Sequence, residues 1–147
     1  MSEISIFVGT VYGNSQSVAE SAQEKLQGLG YKAQIFEDAS VDDFKNASNV
    51  LFITSTTGQG EFPPNIEFFI ADLRDQMPML DGKPFGVVGL ADSSYGDTFA
   101  AAGTQVYELM MELKGSPVAD LKIVDAMETY DAEEDVLPWI EATYKPV

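Results

Sequence analysis

Ile4-Ser5-Ile6-Phe7-Val8-Gly9-Thr10-Val11-Tyr12-Gly13-Asn14-Ser15 decides how this chain of 147 residues is read. Residues 4–8 form an apolar strand. A helix over 14–29 then places Val18, Ala19, Ala22, Leu26 and Leu29 at helical spacing, with Gly28 and Gly30 to end it. The link between them is rich in Gly, Thr and Asn. The same succession occurs twice more. Val50-Leu51-Phe52-Ile53 runs into Thr54-Ser55-Thr56-Thr57-Gly58-Gln59-Gly60-Glu61, and Phe85-Gly86-Val87-Val88-Gly89-Leu90 runs into Ala91-Asp92-Ser93-Ser94-Tyr95-Gly96-Asp97-Thr98-Phe99.

Working outward, Pro63 and Pro64 precede a helix from about Asn65 that sets Ile66, Phe69, Ile70, Leu73 and Met77 on one face. A helix over 99–113 buries Phe99, Ala102, Val106, Met110 and Leu113. A last helix is expected to start near Pro138, because proline suits a first helical turn. Strands alternate with helices, so the fold class is α/β with a parallel sheet covered on both faces. The strands at 4–8, 50–53 and 85–90 are almost wholly apolar, as strands buried on both faces tend to be. Those at 32–36 and 120–124 alternate and belong at the edges. The result is a three-layer, doubly wound, five-stranded parallel sheet of order 2-1-3-4-5, in one domain over residues 1–147. Ligands of open α/β sheets bind where the loops at the strands' carboxyl ends meet, at the switch in strand order. Here that is between strands one and three. The first loop opens a helix, which suits an anion, and the third carries aromatics that suit a flat ring. A phosphorylated, planar ligand follows.

Composition narrows the chemistry. With no cysteine and no histidine, disulfides, thiolate sites, imidazole catalysis and most zinc or iron sites are excluded. The lack of cysteine points to the cytoplasm. No apolar run approaches the ~20 residues of a membrane span, and Met1-Ser2-Glu3-Ile4 lacks the basic start of a signal peptide. Acidic residues outnumber basic ones 24 to 8, a net charge of −16 that repels nucleic acid and anionic lipid. It attracts a basic protein surface instead. Asp125, Glu128, Asp131, Glu133, Glu134 and Asp135 crowd one stretch, on the edge that bears the three loops.

Over essentially its whole length the chain resembles the short-chain bacterial flavodoxins, and the FMN domains of cytochrome P450 reductase and sulfite reductase. Thr10-Val11-Tyr12-Gly13-Asn14-Ser15 matches a family pattern near T-x-T-G-N-T/S, and Ser55 to Glu61 matches S-T-x-G-x-G-D/E. Asp92-Ser93-Ser94-Tyr95, followed by Phe99, is the third motif. The resemblance implies FMN as cofactor, with Thr10, Val11, Tyr12, Gly13, Asn14 and Ser15 around its phosphate. Thr56, Thr57, Gly58, Gln59 and Gly60 would lie beside the ring, and Asp92, Ser93, Tyr95 and Phe99 in the third loop. Tyr95 stands where the family stacks a tyrosine on the outer ring face. No Lys or Arg accompanies the first loop, unlike the lysine-bearing nucleoside triphosphate motif, so one phosphate on neutral donors suits FMN. The chain departs from the family at Thr57, where an aromatic often covers the inner ring face. Phe62 either takes that part or only packs on the following helix. Phe99 and Trp139 read as packing residues.

The function implied is an FMN-dependent carrier of single low-potential electrons, passed from a reductase to acceptor proteins. The alternative is a flavodoxin-like NAD(P)H:quinone reductase. Glu61, Asp92 and Asp97 would disfavour added negative charge on the flavin; one carboxylate at ~7 Å and an effective dielectric of ~20 opposes it by about 2 kcal/mol. No catalytic constellation and no nicotinamide motif is present. The expected partners are basic-surfaced redox proteins, a flavodoxin reductase and an acceptor enzyme, with no nucleic acid and no membrane. The chain is expected to be a monomer.

Overall fold

The computed structural model of the protein describes residues 3–10, 13–56, 61–91, 101–125 and 132–146. In chain order the elements are β1 (Glu3–Gly9), α1 (Asn14–Gly28), β2 (Lys32–Phe36), α2 (Val41–Asn46), β3 (Val50–Ser55), α3 (Pro64–Gln76), β4 (Pro84–Ala91), α4 (Ala101–Glu112), β5 (Ser116–Pro117), β6 (Lys122–Asp125) and α5 (Ala132–Thr143). The strands form one parallel sheet in the order β2-β1-β3-β4-β5, with β6 also paired to β4. The order expected from strand polarity is therefore the one found.

Alternation within the central strands builds two cores. Ile4, Ile6, Val8, Leu51, Ile53, Val88 and Leu90 face α1 and α5, where they meet Val18, Ala22, Leu26, Val136 and Ile140. Phe7, Phe52, Phe85 and Val87 face α2, α3 and α4. Phe7 centres the second core, stacked on Phe36, Phe52 and Phe69 at centroid distances of 5.3, 5.3 and 5.4 Å. Gly89 and Gly103 let α4 lie directly on β4: a Cβ built on Gly103 would stand 3.0 Å from the Gly89 Cα. The edge strand β2 alternates between exposed and buried positions, as its sequence does.

Four features differ from the sequence expectation. The fifth strand is divided. Four residues, 118–121, span what Gly86 and Val87 span on β4, since Phe85 pairs with Pro117 and Val88 with Lys122. The two surplus residues break the ladder, and Pro117 brings no N–H to it. The last helix starts at Ala132, with Pro138 inside it. Glu133, Glu134 and Asp135 stabilise that earlier start against the helix dipole, and the proline sits on an exposed face opposite the exposed Glu134. Met77 leaves the expected apolar face of α3. It is the C-cap, left-handed at φ 49° and 41% exposed, and Leu80 fills the core beyond it. Finally, α2 was not anticipated. Ser40 and Asp43 form a reciprocal capping box at its start, a signal present in the sequence, and Val41 and Phe44 anchor it.

Candidate functional site

The parallel sheet brings the ends of β1, β3 and β4 to one edge, in the register Gly9 to Thr54 to Gly89. Gly9 has no room for a side chain: a Cβ there would collide with Thr54 Oγ1 and Ile66. This close approach seats α3 against the end of β1.

Of the first loop, Thr10, Gly13, Ser15 and the backbone of Asn14 are described; Val11, Tyr12 and the Asn14 side chain lie outside the described residues. The Gly13 N–H donates to Thr10 Oγ1 at 2.8 Å. Gly13 is the N-cap of α1 at φ 86°, a left-handed conformation that favours glycine, and among the described residues no side chain caps the helix. The first turn of α1 holds no acidic residue. Ser15 is fully buried, and its Oγ has no hydrogen-bond partner among the described residues. Such a buried hydroxyl, left unpaired, is unfavourable unless something arrives to accept its proton. Thr10 Oγ1, already accepting from Gly13, likewise keeps its own proton to donate. Uncapped helix amides and two hydroxyl donors at one helix start fit a phosphate monoester.

Asn65 went unnoticed in the sequence except as a helix start. Its Oδ1 accepts from the Thr10 N–H at 2.9 Å, while its Nδ2 donates to Val8 O at 2.7 Å and to Glu37 O at 2.9 Å. Thr56, from the second loop, donates its N–H to Leu90 O at 3.3 Å. Its Oγ1 accepts from the Ala102 N–H at 3.1 Å, tying β3 and β4 to the first turn of α4. Thr57, Gly58, Gln59 and Gly60 lie outside the described residues, as do Asp92, Ser93, Tyr95 and Phe99. Phe62 packs against the core beneath α3 and α4, with the Arg74 guanidinium 5.6 Å from its ring centroid. Trp139 packs beside Tyr144, edge to face at 6.2 Å.

Charge is sorted along the sheet axis. Lys25, Lys45 and Arg74 occupy last turns of helices, and Lys114 and Lys145 follow helix ends. Lys32, Lys83 and Lys122 begin or precede strands. These are all eight basic residues, so none lies in a segment linking a strand to the next helix. The exposed Glu61 stands in one such segment. In the first turn of α5, Glu133 accepts a hydrogen bond from Ser17 Oγ at 3.1 Å. The edge offers neutral donors inside an acidic surround.

A family profile for flavodoxin matches residues 6–139. Flavodoxin YqcA of Escherichia coli is 39% identical over 143 residues, covering 96% of this chain and 95% of that protein. The solved structure of a cysteine-to-serine variant of a flavodoxin from Pseudomonas aeruginosa superposes with a TM-score of 0.90 at 42% identity, covering 95% of each chain. The sulfite reductase [NADPH] flavoprotein alpha-component of Bacillus subtilis is 31% identical over 146 residues, which is 97% of this chain but 23% of that protein. The chain belongs to the flavodoxin family of electron carriers, whose cofactor is FMN.

Proposed function

We propose that residues 1–147 work as one FMN-binding domain that carries single low-potential electrons from a separate reductase to acceptor proteins in the cytoplasm. The observation that carries this is Ser15, fully buried at the start of α1 and, among the described residues, without a hydrogen-bond partner or a helix cap beside it. Thr10, Val11, Tyr12, Gly13, Asn14 and Ser15 hold the phosphate through hydroxyls and amides. Thr56, Thr57, Gly58, Gln59 and Gly60 line the ring, and Asp92, Ser93, Tyr95 and Phe99 serve from the third loop, with Tyr95 over the ring. Bound FMN supplies the redox chemistry. The polypeptide orients it, and its carboxylates disfavour added negative charge.

Among the described residues no helix is long and apolar enough to cross a membrane. The acidic edge suits brief docking of basic-surfaced redox proteins, a flavodoxin reductase and an acceptor enzyme, to a monomer. The relative named for NADPH-dependent sulfite reduction, of which the match covers 23%, supports an electron-carrying module served by a reductase.

Titrating the apoprotein with FMN tests the reading. Micromolar or tighter binding is expected, and failure to bind at that level overturns it. Anaerobic stepwise reduction should then show electrons taken up one at a time. NADPH alone should leave the flavin oxidised. Rapid bleaching by NADPH without a reductase would replace the carrier reading with a quinone reductase.

A further inference from the structure

We propose that Asn65 is a positioning residue that sets the first loop to receive phosphate and so makes the site prefer FMN over riboflavin. The inference rests on the FMN reading above and deepens it. Asn65 lies in the first turn of α3, 55 positions beyond Thr10, and meets it across the end of β1. Its side chain uses one acceptor and two donors at once, toward Thr10 N, Val8 O and Glu37 O. A planar amide presents an acceptor and two donor hydrogens together; a carboxylate has no donor, a hydroxyl has only one, and an alkyl chain has neither.

The consequence runs along a short chain of bonds. Asn65 captures the Thr10 N–H, and Thr10 Oγ1 then stands 2.8 Å from the Gly13 N. Gly13 makes the left-handed turn into α1 and aligns the uncapped first turn and the buried Ser15 Oγ. The contact to Glu37 O ties the segment after β2 into the same cluster. Loss of the Asn65 amide leaves Val8 O, Glu37 O and the Thr10 N–H without this partner, and the loop drifts from the phosphate-receiving geometry. On the FMN reading the ring belongs to the other two loops, so the loss would fall on the phosphate.

The test compares FMN and riboflavin affinities of the apoprotein, read by quenching of flavin fluorescence, for the native chain, Asn65→Ala and Asn65→Asp. Asn65→Ala should reduce FMN affinity by about tenfold or more, the size of one lost hydrogen bond, with riboflavin affinity nearly unchanged. Asn65→Asp keeps an acceptor for Thr10 but turns a carboxylate toward two carbonyls and adds charge beside the phosphate. Its loss should be larger and should shrink as salt rises. Equal losses for both flavins would overturn the proposal, since they mark Asn65 as scaffold only. An unchanged preference for FMN in both variants overturns it as well. If the native chain binds neither flavin, the cofactor reading falls and this proposal with it. A measurement on the native apoprotein guards against misfolded variants: the Thr10 and Gly13 amides should exchange hydrogen as slowly as those of β3. Fast exchange at Thr10 would also overturn the proposal.

Discussion

α1 and α5 run parallel and side by side on one face of the sheet, joined by Ser17–Glu133 near their starts and by a 3.0 Å Lys25–Glu141 ion pair near their ends. Their N-termini are treated in opposite ways. α5 places Glu133, Glu134 and Asp135 in its first turn and so satisfies its own dipole. α1 has no acidic residue there, and among the described residues it has no side-chain cap and buries a Ser15 hydroxyl without a partner. α2 and α3 follow α5 in carrying first-turn acids. A helix start that supplies its own negative charge is complete by itself. The start of α1 supplies none, which is what the proposed phosphate site requires.

The largest expected effect comes from making α1 like α5. Ser15→Asp puts a carboxylate where the phosphate would sit, and two charges ~5 Å apart at an effective dielectric of ~20 oppose each other by about 3 kcal/mol. FMN affinity, measured by fluorescence titration, should fall by about two orders of magnitude, with riboflavin much less affected. Ser15→Ala removes only the donor. A hydrogen bond to a charged group contributes about 1.5–3 kcal/mol, so FMN affinity should drop about tenfold to a hundredfold. The apoprotein's melting temperature should hold, because the hydroxyl has no partner among the described residues to lose. A fall in melting temperature would show that Ser15 serves the fold.

Gly13→Ala tests the turn that leaves α1 uncapped. A Cβ there meets nothing within 4 Å, so the whole effect is backbone strain at φ 86°. Stability should fall by about 1–2 kcal/mol in denaturant unfolding. Neutralising α5 should act in the reverse sense from Ser15→Asp. Glu133→Gln, Glu134→Gln and Asp135→Asn together remove dipole terms of about 0.3–1 kcal/mol each. Thermal stability should fall while FMN binding stays equal or tightens.

The smallest effect belongs to a second buried, unpaired hydroxyl. Tyr144 follows the end of α5, is 3% exposed, and its Oη has no partner among the described residues. It points toward Gly86, far along β4 from the loop edge. Tyr144→Phe should leave FMN binding untouched and change stability by about 1 kcal/mol or less, in the stabilising direction. Burial, with Tyr31 adding to it, pushes the Tyr144 pKa well above the ordinary value. The folded state thus holds this proton to higher pH than the unfolded chain does. Its contribution is intact below about pH 10 and declines as pH rises beyond that. Denaturant unfolding across that range should show the alkaline decline weakened in Tyr144→Phe. An orphan hydroxyl therefore marks a site only where the topology brings a ligand.

Much of this was legible in advance, for identifiable reasons. Strand burial was readable because Val50-Leu51-Phe52-Ile53 is unbroken while Lys32-Ala33-Gln34-Ile35-Phe36 alternates, and that contrast set the strand order. Pro138 points to a helix start in the sequence, but the three carboxylates that precede it set the start of α5 at Ala132. The capping box of α2 stands in the sequence as Ser40 and Asp43, three positions apart. The split of the fifth strand was not readable, because it depends on a register between β4 and residues some 30 positions away.

By itself the sequence determined the periodicities, the order of strands, and a set of strand-to-helix links without a single cation. Each of these is a property of neighbouring residues or of residue type. Only the tertiary structure decided that Asn65 holds Thr10, that Thr56 reaches Ala102, and that Ser17 meets Glu133 across 116 positions. A hydrogen bond between distant residues leaves no spacing in the chain. It exists only once two strands and a crossing helix have been packed to within 3 Å of each other's polar groups.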